Sequence, residues 1–230
     1  MATQAIRTTP PQSGHPAEPQ VLRYRVGPRI IHAVLASSFV ALLLTGLVLL
    51  WGPLSSLAAG GASRLIHRIG AIAFLAVPVL YLVFDRPAAR ELLWDSFRYD
   101  KDDIAWLKHM LRYYFGRASG MPPQGRLNAG QKLHHAAVVI MSAVVVVSGS
   151  VMWYAKGNLG ANLLAGTAII HDLSMLTLTV LLIGHLYFTF VYDALPGMVT
   201  GYIPEEEARL EHAKWVEEMH AEAEQHTQHQ

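Results

Sequence analysis

The sequence predicts an all-α integral membrane protein, a bundle of four lipid-spanning helices with both termini in the cytoplasm. Three observations predict it. The 230 residues are 52% hydrophobic and 15% charged, with a mean hydropathy of +0.28, whereas charged residues make up about a quarter of an ordinary soluble domain. Four apolar runs, 30–51, 65–84, 133–154 and 167–192, are each long enough to cross a hydrocarbon layer, which takes about 20 residues of helix. The basic residues are also unevenly placed. Four Lys or Arg precede the first run, nine lie between the second and third, two follow the fourth, and only Arg64, Arg68 and Lys156 fall in the other two connections. Fifteen against three is a positive-inside pattern, and it sets both ends of the chain on the cytoplasmic side.

Taken in order, residues 1–21 hold four prolines in the first twenty positions and lack the apolar core of a signal peptide, which predicts a disordered tail. The four-span domain covers 22–204. Pro78 falls inside the second span, where a membrane bundle tolerates it. Trp51, Trp153, Tyr154 and Tyr192 fall at span ends, where amphipathic rings favour the interface. The inner loop, 85–132, contains "WDSFRYDKDDIAWLKHMLRYYFG". Its mixture of aromatics and charge fits an interfacial helix and a surface for a partner subunit equally well. Residues 205–230 are acidic, then low in complexity, and read as a solvated cytoplasmic tail because no strong apolar face recurs.

Composition also excludes functions. A net charge of +1 with no basic stripe gives no footprint for nucleic acid. The absence of cysteine rules out disulfides and cysteine-bound iron–sulfur clusters on this chain and leaves histidine as the metal ligand to consider.

Of twelve histidines, His32, His67, His134, His135, His171 and His185 lie in or at the edges of spans. An ionisable group in a bilayer is costly, so each marks a candidate site, although any one alone reads equally well as a neutral imidazole bonded to a neighbouring helix. His171 and His185 are fourteen positions apart, which sets them within about 40° of one face and ~21 Å apart along the axis. The topology places His171 at the outer start of its span and His185 near the cytoplasmic end. His32 opens the first span on the inner side and His67 opens the second on the outer side. His32 and His185 therefore share the inner depth, and His67 and His171 the outer. Two facing imidazole pairs stacked across a membrane are what two bis-histidine b haems require, the haem iron being the metal held. Gly70, one turn from His67, either lets a macrocycle lie close or packs helix against helix. His134 and His135 match the inner depth as well, as ligands or as interfacial or quinone-side groups.

Several stretches, "SRLIHRIGAIAF" around His67, "LNAGQKLHH" at 127–135, "IIH" followed by "GHLYFTF", and "DALPGMVTGYI", make the chain resemble a known family over roughly residues 22–204. It is similar to the cytochrome b (gamma) subunit of membrane-bound respiratory formate dehydrogenases. The four spans and paired histidines would also fit cytochromes of nickel–iron hydrogenases, and the Asn-Ala-Gly-Gln-Lys run discriminates better. The resemblance implies two haems b, an inner one on His32 and His185 and an outer one on His67 and His171. It implies a quinone site (menaquinone or ubiquinone) at Asn128, Gly130 and Gln131 with His185, beside the inner haem. Read from the residues alone, that run is a turn feeding a helix, with amide donors of the kind a quinone carbonyl accepts.

The function so implied is the membrane-anchor, electron-transferring, quinone-reducing subunit of a formate dehydrogenase complex in a bacterial inner membrane. Its partners would be an iron–sulfur subunit and a catalytic formate dehydrogenase subunit, with a higher oligomer possible and no formate chemistry on this chain. Electrons would enter at the outer haem and leave at the inner one, with Lys132, His134 and His135 as candidate proton carriers. The alternatives are the cytochrome of a hydrogenase or another quinone-linked oxidoreductase, and a histidine-lined metal transporter, for which Asp172 is almost the only intramembrane carboxylate.

Overall fold

In the computed structural model, which describes residues 6–8, 19–115, 120–191 and 194–228, two short strands come first, β1 (Ile6–Thr8) and β2 (Pro19–Leu22). Helix α1 (Val26–Leu50) follows, then a 3-10 turn leading into the short α2 (Ser55–Ala58), then α3 (Ala62–Phe84). Three helices fill the next connection, α4 (Arg86–Phe97), α5 (Lys101–Lys108) and α6 (Met110–Tyr114). The long helices α7 (Ala129–Tyr154) and α8 (Ala161–Val191) precede α9 (Leu195–Thr200), β3 (Tyr202–Pro204), α10 (Glu205–Glu211) and α11 (Ala213–Gln228).

Among the described residues, helices α1, α3, α7 and α8 are the four long and apolar enough to cross a membrane, as the sequence predicts. Each starts earlier than the hydropathy run. The fourth begins at Ala161, not at 167, because Ala161, Leu163, Leu164 and Ala165 are helix formers and the Leu164 N–H already reaches Gly160 O at 3.0 Å. His171 therefore lies inside α8 and does not open it. Pro78 stays within α3. Tyr192 lies outside the described residues.

The chain divides into two compact units. The membrane unit, residues 27–91 and 137–188, is held by small and hydroxylated residues. Its buried positions include Ser38, Gly70, Ser148 and Ser174, the small residues that let membrane helices approach, together with Leu42, Val145 and Leu178. A Cβ on Gly70 would stand 3.2 Å from Leu42 Cγ, so α3 packs on α1 there and Gly70 serves helix packing. Phe39 and Phe74 add a ring contact at 6.3 Å, and the Arg68 guanidinium lies 5.3 Å from the Trp153 ring. Leu176, Val180 and Ile183 remain more than half exposed, an arrangement that lipid as solvent permits.

The polar unit, residues 1–26, 92–136 and 189–230, contains an antiparallel sheet in the order β1-β2-β3, with Val21 opposite Ile203. Val21, Ala208 and Val216 are fully buried together, with Ile203, Trp215 and Met219 packed around them. Gly197 in α9 faces this layer, where a Cβ would come within 2.9 Å of Ile203 Cγ2. Gly201 ends α9 at φ +92°, a conformation glycine reaches without a Cβ clash.

Both terminal tails depart from the sequence expectation. Within 1–21, residues 6–8 and 19–21 are sheet, not disordered chain, because Val21 gains a buried partner in Ile203. Residues 1–5 and 9–18 lie outside the described residues. Over 205–228 the chain is not a solvated tail. It forms α10 and α11, whose Ala208, His212 and Val216 are buried. Those positions recur every fourth residue, but charges flank each one and the helix breaks at His212, so no apolar face stands out in the sequence.

Candidate functional site

The membrane unit brings the four span histidines together in two pairs. His32 on α1 and His185 on α8 have ring centres 6.0 Å apart, tilted by 53°. With metal–nitrogen bonds of about 2 Å and each ring centre roughly 1 Å beyond its nitrogen, two imidazoles sharing one iron stand about 6 Å apart. This pair fits a bis-imidazole centre. His67 on α3 and His171 on α8 are close enough to interact electrostatically. His67 and His171 are half-buried, and His32 and His185 keep accessible surface. Among the described residues no three histidine or carboxylate groups gather as a polydentate metal site. The donors come in twos.

Neighbouring helices hold the rings of the second pair. The Thr45 hydroxyl lies 2.9 Å from His67 Nδ1, and the Ser148 hydroxyl lies 3.1 Å from His171 Nδ1. Val145 O also lies 3.1 Å from His171 Nδ1. A carbonyl only accepts, so His171 Nδ1 carries the proton and Nε2 keeps its lone pair, the form that binds a metal.

The polar unit holds Asn128, Gly130 and Gln131, and each has a structural role. The Gln131 N–H donates to Asn128 Oδ1 at 2.9 Å, and the Asn128 N–H donates to Gln131 Oε1 at 3.1 Å. This is a capping box at the start of α7, with asparagine and glutamine satisfying two orphan backbone donors. Gln124 adds a third bond, its Oε1 accepting from the Ala129 N–H at 2.8 Å. The sequence expectation of a turn feeding a helix holds, and its amides close that turn. Gly130 lies against the buried Trp106 ring, where a Cβ would come within 2.8 Å of Cη2. Gln131 keeps its amide N–H groups as donors.

Lys132 donates to Asp103 Oδ2 at 2.7 Å and to Arg98 O at 3.2 Å, so its ammonium is engaged in an ion pair. His135 Nδ1 lies 3.2 Å from Ser96 Oγ. The Ser96 hydroxyl itself donates to Leu92 O, and His135 therefore supplies the proton of that contact.

Sequence reasoning missed a further group. Glu211, at the end of α10, accepts from the Tyr113 hydroxyl at 2.8 Å and is bonded to the Asn128 side chain. Burial raises its pKa, opposed by those two hydrogen bonds. No sequence signal linked residue 211 to residue 128. Thr45 and Ser148 were missed as well, each a hydroxyl followed by glycine inside an apolar span.

Four membrane-spanning helices with imidazoles paired inside them define a membrane cytochrome of the b type. The sequence profile of the prokaryotic cytochrome b561 family matches residues 23–201, and the chain belongs to that family. It is 25% identical over 207 residues to the formate dehydrogenase cytochrome b556 subunit of Haemophilus influenzae, covering 86% of this chain and 83% of the relative. It is 23% identical over 207 residues to the formate dehydrogenase cytochrome b556(fdo) subunit of Escherichia coli K12, covering 86% and 93%. The nitrate-inducible cytochrome b556(Fdn) subunit of the same organism is 27% identical over 123 residues, covering 52% of this chain and 57% of the relative.

Proposed function

We propose that this chain is the membrane-anchor cytochrome b subunit of a formate dehydrogenase complex, passing electrons from an iron–sulfur partner subunit to quinone. The 6.0 Å separation of His32 and His185, with His67 and His171 as the second pair, carries this reading. The names of the relatives support the donor.

Two haems b, when bound, supply reversible one-electron carriers. The chain's own residues do the rest. His32 and His185 would hold one haem, and His67 and His171 the other, each through an imidazole nitrogen. Two imidazoles for each haem would leave no place for a substrate, and the group would supply electron transfer alone. His171 and His185 lie on one helix ~21 Å apart along its axis, so α8 carries one ligand of each pair and sets their spacing. The distribution of Lys and Arg supports cytoplasmic termini in a bacterial inner membrane. In that orientation His67 and His171 lie on the outer side, where electrons enter.

Asn128, Gly130 and Gln131 are the quinone-side group in this reading. Gln131 supplies the donor, because its oxygen is already used by the cap and its N–H groups are not. Asn128 holds the turn that presents it.

Expression of the chain with its co-purifying subunits tests the reading. A pyridine haemochrome assay should give two haems b per chain, and formate should reduce both. Haem-free protein would overturn the cytochrome role. A nickel–iron subunit in the purified complex would replace the donor.

A further inference from the structure

The two hairpins of the membrane unit carry the same small constellation at nearly the same spacing. In α1–α3 a hydroxyl meets an imidazole 22 positions later, Thr45 to His67. In α7–α8 the separation is 23, Ser148 to His171. Thr45 Oγ1 lies 2.6 Å from Ala41 O and 3.3 Å from Leu42 O. Ser148 Oγ lies 2.7 Å from Val144 O and 3.2 Å from Val145 O. Each hydroxyl thus gives its proton to its own helix four residues back and turns its lone pairs to the imidazole. The carbonyl three residues back adds a second acceptor, Leu42 for His67 and Val145 for His171. The next residue is glycine in both hairpins, and a Cβ there would stand 3.6 Å from His67 Cε1 or 3.1 Å from His171 Cε1. Ser96 and His135 share the hydroxyl contact, but Phe97 follows Ser96.

We propose that Thr45–Gly46 and Ser148–Gly149 are duplicated positioning cradles for His67 and His171. They fix both Nδ1–H groups as donors to oxygen and present both Nε2 atoms to a shared haem iron. The proposal rests on these two histidines being axial ligands. A donated Nδ1–H makes the imidazole more electron-rich, which favours ferric over ferrous iron and lowers the potential. Both cradles would act on the same haem, one through each imidazole. A lower potential at this centre would favour passage of its electron onward.

The test uses the complex purified with its partner subunits. Thr45→Val and Ser148→Ala remove the hydroxyls, Thr45→Ser and Ser148→Thr restore them, and His67→Ala identifies which haem signal belongs to this pair. Haem content, redox titration and the low-spin ferric resonance spectrum are read for each. With one hydrogen bond lost, the reduced-to-oxidised ratio of this haem at fixed potential should rise by roughly threefold to tenfold. Tenfold corresponds to 59 mV for one electron. The other haem should keep its potential, the resonance of the affected haem should shift, and both hydroxyl-restoring variants should return to wild type. Unchanged potentials in Thr45→Val and Ser148→Ala would overturn the cradle while leaving the ligands in place. If either variant loses the haem, retention with wild-type potential in its restoring partner supports the hydroxyl, and loss there too overturns it. A haem count in His67→Ala equal to that of the wild-type complex would overturn the ligand reading instead.

Discussion

Asn128 and Gln131 each accept the other's backbone N–H through a side-chain oxygen, at 2.9 and 3.1 Å, so the run that marks the quinone group also starts α7. The two roles separate by substitution. Asn128→Ala removes an N-cap and should cost about 1 kcal/mol, up to about 2, of stability. Gln131→Glu keeps the oxygen that the capping box uses but deletes the amide donor. We predict that Gln131→Glu leaves thermal stability and both haem spectra unchanged while slowing haem reoxidation by added quinone. Stopped-flow reoxidation over a range of quinone concentrations checks this, and a wild-type rate throughout would move the quinone group elsewhere.

Gly130 is fixed by Trp106. A Cβ at that position would stand 2.8 Å from Cη2 and 3.1 Å from Cζ3 of a ring only 2% exposed. The ring also packs on Tyr113 at 4.9 Å, so it cannot simply swing away. Gly130→Ala should therefore destabilise the polar unit by about 1–3 kcal/mol, the usual cost of overpacking. Adding Trp106→Phe, which shortens the ring, should recover part of that loss. Thermal denaturation of the two variants in detergent decides it.

The spans and the histidine pairs were legible because they follow from one-dimensional rules. Hydropathy sets the spans, and their alternating direction places His32 with His185 and His67 with His171. The docking of the C-terminal segment was not legible. Its buried residues, Ala208, His212 and Val216, are separated by Arg209, Glu211 and Lys214, and they find partners in Val21, Arg23 and the 124–126 turn, far away in sequence. The hydroxyls at Thr45 and Ser148 look inert in an apolar span, where a back-bond to the helix is the ordinary reading. Only the neighbouring helix shows what the oxygen faces.

Single substitutions should separate the two haem centres. His32 and His185 face one another, and His67 and His171 form the other pair. Replacing any one by alanine should bring the haem count from two per chain to one, and the two members of a pair should remove the same spectral component. Different components lost within a pair would mean that the pairing is wrong. The two glycines give a finer test. Gly149→Ala puts a methyl 3.1 Å from His171 Cε1, whereas Gly46→Ala leaves an ordinary 3.6 Å contact with His67. The first should perturb its haem's spectrum and the second should do so much less.

The polar unit should come apart in acid through His212. Its Nδ1 lies 2.9 Å from Gly125 O and therefore carries the proton, while Nε2 lies 3.2 Å from Arg23 Nη2 and accepts from it. A second proton would have to sit on Nε2, against a buried guanidinium. Burial, then the Arg23 and Arg126 charges, push this imidazole down to about 3 from 6.5, against the Gly125 bond. A depressed pKa in the folded state means stability that is complete above 6.5 and lost as pH falls towards 3. The difference corresponds to on the order of 5 kcal/mol if the whole window is traversed. Glu211 works the other way, since its raised pKa relieves a cost as pH falls towards 4.5. Asp100, held at about 2 chiefly by Lys214, adds loss only below its ordinary 3.8. Between pH 6.5 and 4.5 the His212 contribution should dominate, and α11 should release from the 124–126 turn. Trp215, whose ring lies 6.2 Å from that of His212, offers a fluorescence readout, and hydrogen exchange along 205–225 offers a second. His212→Gln does not titrate in this range, so its profile should lose the fall in stability between pH 7 and 5 and keep only the opposite Glu211 contribution, even if the segment is less stable overall. A wild-type profile that runs parallel to that of His212→Gln would show that His212 is not the acid-sensitive group.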